Sequence, residues 1–218
     1  MKRNALDIAE KYFEAEPLLW GMGLVVRQIF LKMKSLVVSI ILHAPGIFLG
    51  PGCIVRGTKR ISFGRNIYAN RNLWLEAVTN YNDQVFCPLI TIEDYVSFSD
   101  GVHITSIQRI IIKRNVLIGS RVFISDHNHG LYAGETQSFP AEPPARRQLG
   151  GGGPVEIGEN VWICDNVAIL GPAAIGNSSI IAANSVVRGD VPANVIVAGA
   201  PAKIIKRYNP DARSWERV

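Results

Sequence analysis

The sequence predicts an all-β solenoid, a stack of short strands and tight corners behind an N-terminal helical segment. Three regularities predict it. Ile157, Ile163, Ile169, Ile175, Ile181 and Val187 fall on one six-residue lattice within Val155–Lys206 without a miss. Four places beyond each aliphatic stands a small or β-branched residue: Val161, Val167, Ala173, Ser179 and Ser185. Between the two, Gly, Asn, Asp and Ser cluster, and these types make corners at little steric cost. A period of six is neither the 3.6 of an α-helix nor the 2 of an alternating strand. It fits coils of one strand and one corner per repeat, whose stacked aliphatics form a column that no single repeat can bury alone.

Composition sets the outer bounds. A chain of 218 residues is one large domain, or one domain with a small appendage. Hydrophobic residues at 48% against charged residues at 19% exclude a disordered chain. The net charge of +5 points to an anionic ligand or surface, such as cofactor phosphates or anionic lipid. No basic run carries interleaved aromatics, so nucleic acid is not the expected partner. Cys53, Cys87 and Cys164 are widely spaced and form no CxxC, which favours free thiols in a reducing compartment. No stretch near the N-terminus has the pattern of a cleaved signal peptide.

Residues 1–45 read as a helical segment. Ala5 to Glu16 is expected as a short polar helix and Leu24 to Leu42 as a strongly apolar one carrying Arg27, Lys32 and Lys34. Those cations, with His43, count against a spanning helix. Leu24, Ile29, Met33, Leu36, Val37 and Ile40 share one apolar face. Two readings stand: the helix caps the open end of the solenoid and its unpaired strand edges, or it lies in a membrane interface with Trp20 and the lysines at headgroup level.

Residues 46–207 are the repeat domain. Its units open at Leu49, Phe63 and Ala69, resume at Ile92, Phe98 and Ile104, and continue at Ile112, Ile118 and Ile124 into the main lattice. Two stretches break it. Residues 77–88 are a short excursion; 130–153, with three prolines and four consecutive glycines, is a long loop of the kind that usually serves function. Residues 208–218 are a polar tail with Trp215, expected as a short helix.

Asp126-His127-Asn128-His129 is the densest polar cluster and stands at the root of the long loop. Histidine is suited to taking a proton near neutral pH, and two histidines two apart on a strand share a face. The plain alternative is that both merely bond the loop. His43 and His103 read as structural.

The lattice, the segment Ile67-Tyr68-Ala69-Asn70, the DHNHG segment and the ending Val197-Ala-Gly-Ala-Pro-Ala-Lys203 together resemble the hexapeptide-repeat acyltransferases. Within them the chain looks closest to the maltose and galactoside O-acetyltransferases and their relatives that O-acetylate bacterial surface polysaccharides. The resemblance spans about residues 49–207. It implies a left-handed parallel β-helix, the opposite of the hand that the usual crossover rule favours. It further implies a homotrimer with active sites between subunits, acetyl-CoA as cosubstrate and a carbohydrate acceptor. The expected compartment is the cytoplasm, and the apolar, cationic N-terminal helix is compatible with a place at the inner face of the membrane. No metal is expected.

Residue by residue, the resemblance makes His129 the catalytic base, with His127 the second choice. Asn70 corresponds to a sugar-binding asparagine; Glu76 lies near the sugar site but out of register. Trp162 matches an aromatic along the CoA groove, and Asp165 takes the place of a small polar residue there, so its backbone rather than its carboxylate is expected to make the contact. Ala183 would add backbone contacts, and Arg188, Lys203 and Lys206 would meet the pantetheine and phosphates. No Ser/His/Asp or Cys/His pattern competes, so direct transfer is expected rather than an acyl-enzyme. Two rival classes remain. A zinc lyase of the γ-carbonic-anhydrase type needs three histidine ligands; His103, His127 and His129 supply the number but not that spacing. A non-catalytic scaffold would leave the DHNHG segment without a purpose.

Overall fold

The computed structural model describes residues 16–218, and the polar helix expected from Ala5 lies outside them. Helix α1 (Leu18–Ile41) starts behind Pro17, whose φ of -54° suits a helix entry. It lies against the first strand, Phe48–Leu49, and its buried residues are Gly21, Leu31 and Ser35. The Ser35 hydroxyl accepts a hydrogen bond from the Leu49 N–H at 3.3 Å, a donor on the open edge of the stack. This is how the edge is covered. The packing face differs from the one the spacing suggests. Ile29, Met33, Leu36, Val37 and Ile40 are exposed, and of the expected set only Leu24 is half-buried.

The strands stack in parallel rows. Row one runs through Phe48–Leu49, Tyr68–Ala69, Ser97–Phe98, Leu117–Ile118, Trp162–Ile163, Ile180–Ile181 and Val195–Gly199. Row two takes Ile54–Arg56, Trp74–Ala77, His103–Ser106 and Phe123–Ser125; row three takes Ile61–Phe63, Leu89–Ile92, Arg109–Ile112 and Val155–Ile157. Strand Ala168–Ile175 turns between them, pairing with Phe123–Ser125 by its first half and with Val155–Ile157 by its second. Rows two and three are thereby one strongly curled sheet.

The six-residue period explains the register. From Trp162 to its partner Ile180 is 18 residues, three repeats. From Leu117 to Trp162 is 45 and from Tyr68 to Ser97 is 29, and the surplus is the loop and the excursion. Each repeat buries its lattice aliphatic and the residue four on. Ile92, Ile104, Ile112, Ile118, Ile124, Ile157, Ile163, Ile169 and Ile181 are all 0% exposed, and Val96, Val102, Val116, Val122, Val161 and Val167 are 1% or less. Full burial of such a side chain contributes about 1.5–3 kcal/mol, which makes this column the main source of stability. The fourth residue of the repeat turns the corner in the left-handed region: Asn66, Asn72, Asn115, Asn160, Asn166 and Asn184 have φ between 55° and 60°. Asn tolerates that region better than other side chains. Aspartates bind corner to corner. Asp94, Asp100 and Asp165 each accept, through Oδ1, a backbone N–H from the coil below, at Arg65, Arg71 and Ser120 respectively.

The two breaks are structured. Residues 77–88 contain a hairpin, Asn80–Tyr81 with Gln84–Val85, and the long loop ends in Leu149–Gly150, which pairs antiparallel with Asn128–His129. The tail is a correction: it forms a strand, Ser214–Arg217, on Ala202–Asn209 rather than a helix. Trp215 meets Tyr208 edge-on at 5.4 Å, and Asn209 Oδ1 accepts the N–H groups of Asp211 and Ala212, closing the turn.

Candidate active site

The outer face of row two carries an aromatic ladder. Trp74, His103 and Phe123 are in register on adjacent strands, each one place before an inward aliphatic (Leu75, Ile104, Ile124), so alternation turns them outward. Their ring centroids lie 5.7 Å and 5.3 Å apart, the first pair tilted and the second edge-on. Glu76, Thr105 and Ser125 form the parallel polar ladder. The excursion and the long loop rise beside this floor and are tied together. Gln84 exchanges two hydrogen bonds with the Leu149 backbone, 2.7 and 3.2 Å, and Tyr81 and Asn82 both donate to the Ala145 carbonyl. Between floor and wall lies a cavity of about 360 Å³ lined by Trp74, Glu76, Tyr81, His103, Phe123, Ser125, His127, His129 and Leu149.

Both histidines of the DHNHG segment face this cavity, each held by its Nδ1. His127 Nδ1 stands 3.0 Å from Asp126 Oδ1, and its side chain is only 7% exposed. Asp126 is fully buried and also accepts from the Ser106 hydroxyl and the N–H groups of Ile107 and Gln108. Burial pushes its carboxyl upward, but the hydrogen bonds from His127, Ser106, Ile107 and Gln108 outweigh it and hold the group below the ordinary 3.8. An ionised Asp126 can only accept, so the proton of a neutral His127 sits on Nδ1 and Nε2 is bare.

His129 is exposed at the mouth, its Nδ1 3.1 Å from the Tyr81 hydroxyl. That hydroxyl gives its hydrogen to the Ala145 carbonyl at 2.8 Å, so towards His129 it accepts. The proton of a neutral His129 is therefore also on Nδ1, leaving Nε2 bare. Two imidazoles with free Nε2 lone pairs, one of them open to solvent, can take a proton from a hydroxyl placed over the aromatic floor. His103 is kept below its ordinary value, first by burial and then by nearby His127, against the pull of Glu76. A larger hollow surrounds Arg65, Glu93, Asp94 and Arg114, but the facing Arg65 and Asp94 are paired at 3.2 Å and it holds no base of comparable freedom.

The glycine run closes the site from behind. A side chain at Gly152 would bring its Cβ to 2.1 Å from the Asp126 carbonyl, so the returning loop passes too close for any side chain. Gly151 has φ +66°, which glycine adopts freely.

The other expected residues are distributed unevenly. Glu76 joins the histidines despite its register and accepts from Trp74 Nε1 at 2.8 Å. Asn70 does not join them; it lines a separate cavity with Leu24, Arg27, Tyr68 and Arg71. Trp162 is exposed on row one, in a ladder that continues through Ile180 and Ile196 to Lys206. Arg188 and Lys203 are exposed, Lys206 half-buried, and none of the three has an ion pair among the described residues. Ala183 is exposed. The Asp165 carboxylate is engaged with the Ser120 N–H, a corner role. Among the described residues no three His, Cys, Asp or Glu side chains are arranged to hold a metal ion. Sequence reading missed Tyr81, Trp74, His103 and Phe123. The signal for the last three was present: bulky aromatic residues at positions where alternation directs them outward.

A family model described as bacterial transferase hexapeptide (six repeats) matches residues 154–189. The chain is 42% identical over 167 residues to the putative lipopolysaccharide biosynthesis O-acetyl transferase WbbJ of Escherichia coli K12, covering 76% of this chain and 81% of that one. It is 31% identical over 166 residues to the galactoside O-acetyltransferase of the same organism, covering 74% and 64%. AntD, an N-acyltransferase from Bacillus cereus solved with dTDP and coenzyme A, shares the fold at a TM-score of 0.57 and 17% identity, covering 80% of this chain and 89% of that one.

Proposed function

Because this chain belongs to the hexapeptide-repeat acyltransferases, we propose that it moves an acetyl group from acetyl-CoA to a sugar hydroxyl of a bacterial surface polysaccharide, of the O-antigen or capsule type. The observation that carries this reading is the cavity in which two imidazoles, each oriented through Nδ1 and bare at Nε2, stand over an aromatic floor. Aromatic faces suit the C–H faces of a pyranose, and Glu76 offers a carboxylate to its hydroxyls.

His129 is the base. It is exposed at the mouth, where an acceptor held in the cavity and a thioester arriving from outside can meet. It removes the proton from the acceptor hydroxyl as that oxygen bonds to the thioester carbon. Collapse of the tetrahedral intermediate breaks the carbon–sulfur bond, and the proton passes to the departing thiolate. A backbone N–H stabilises the oxyanion, a contribution of about 3–4 kcal/mol per donor. One observation favours a second reading: His127, paired with the buried Asp126, has the more strongly fixed ring and would serve as base if a smaller group reached it.

Trp162, the Ala183 and Asp165 backbones, Arg188, Lys203 and Lys206 form the CoA side in this reading. The absence of ion partners for the three cations among the described residues supports it. We read the rows as the faces of a left-handed parallel β-helix over residues 46–207, assembled as a homotrimer with sites between subunits, and Asn70 as a contact contributed across that boundary. The compartment is the cytoplasm, where acetyl-CoA is available. The test is to incubate the protein with acetyl-CoA and deacetylated surface glycan and follow thiol release together with O-acetyl signals on the glycan. Release tied to a new O-acetyl ester supports the proposal; thiol release that no glycan stimulates removes it.

A further inference from the structure

Helix α1 is inverted relative to an ordinary surface helix. Its small buried face is Gly21, Leu31 and Ser35, while Val26, Ile29, Phe30, Met33, Val37 and Ile40 are each at least half exposed. At about 3.6 residues per turn those six fall within an arc of roughly 100°, directly opposite the buried face. They form one continuous apolar stripe along a 24-residue helix.

The charges complete the pattern. From Leu18 to Ile41 the helix carries no acidic side chain. Lys32 borders the stripe on one side, and Arg27 and Lys34 border it on the other, about 40–60° beyond its edges. All three cations are exposed and none has an ion pair among the described residues. Trp20 is exposed near the N-terminal end. No helix among the described residues is long and apolar enough to cross a membrane.

We propose that this face of α1 docks on an anionic lipid bilayer, lying parallel to it with the stripe in the acyl boundary and Arg27, Lys32 and Lys34 among the headgroups. An apolar stripe with basic borders and no acid is the arrangement that lies in such an interface. A second copy of the chain fits less well. Self-docking on this face would bring like charges together with no acid to meet them, and lysine is depleted at protein interfaces. The proposal does not depend on the acetyl-transfer reading. If both hold, the helix brings the enzyme to acceptors carried at a membrane surface.

The test is flotation of the full chain with vesicles of phosphatidylcholine alone and of phosphatidylcholine with one-third phosphatidylglycerol. The expected result is at least tenfold stronger binding to the anionic vesicles, falling with salt. Each basic residue near a surface is worth about fivefold, so Arg27→Gln/Lys32→Gln/Lys34→Gln should lose most of that preference. Phe30→Gln/Met33→Gln should lose binding while keeping the melting temperature and sedimentation mass of the wild type. Equal binding to both vesicle types, no binding to either, or wild-type binding by the triple variant overturns the proposal. So does a fall in sedimentation mass for Phe30→Gln/Met33→Gln, which would assign the face to contact between copies. The readout is lipid binding, so a failure here is distinct from a failure of acetyl transfer.

Discussion

Tyr81 holds His129: its hydroxyl lies 3.1 Å from the ring Nδ1 while donating to the Ala145 carbonyl. One phenol on the excursion thus sets the tautomer of an imidazole on the long loop's root. Tyr81→Phe keeps the edge-on ring contact at 5.4 Å but removes the acceptor. A neutral hydrogen bond is worth about 0.5–1.5 kcal/mol net, so kcat/KM for acetyl transfer should fall about three- to tenfold, with little change in melting temperature. Thiol-release kinetics check it.

Asp126 should govern acid stability. Its folded pKa is depressed below 3.8, so its contribution is complete well above that value. The contribution is lost as pH falls through 3.8 towards the folded value. Asp126→Asn turns a donor toward groups that themselves donate, and should cost about 2–3 kcal/mol at pH 7. The gap between wild type and variant in urea unfolding should then narrow on going from pH 7 to pH 3.

The Gln84 clamp should control the long loop. Gln84→Ala removes both bonds to the Leu149 backbone. Each is worth about 1 kcal/mol, so opening should become about tenfold easier or more. Trypsin cleavage after Arg146 and Arg147 should accelerate accordingly while the rest of the chain resists.

Tyr95 occupies a corner that asparagine or glycine usually fills, with φ 61° and an exposed ring. Tyr95→Gly relieves a left-handed strain of about 1–2 kcal/mol. The melting temperature should rise by about 2–4 °C, the size of response expected for a chain of this length.

The repeat domain was legible because burial and period coincide. Ile157, Ile163 and Ile169 are inward for the same reason that they recur every six residues, and the fourth-place asparagines turn the corners they punctuate. The DHNHG segment was legible as a candidate site because few residue types can exchange a proton near neutral pH. What surrounds it was not. Tyr81 lies 48 residues from His129, and only the docking of two non-repeating excursions joins them. Helix α1 stayed open between two readings for a physical reason: an apolar face signals burial, but its spacing does not say what supplies it. The tail turned to strand because Ala202–Asn209 offers a free edge and Tyr208 a ring for Trp215, neither visible in a short polar run.

The most direct test of the account is the rate of CoA thiol release with acetyl-CoA and an acceptor glycan, compared for wild type, His129→Ala and His127→Ala. Removing a general base typically costs 10²–10⁴-fold, so His129→Ala should lose at least about a hundredfold in kcat while His127→Ala retains measurable turnover. A His129→Ala protein that turns over at the wild-type rate would contradict the assignment.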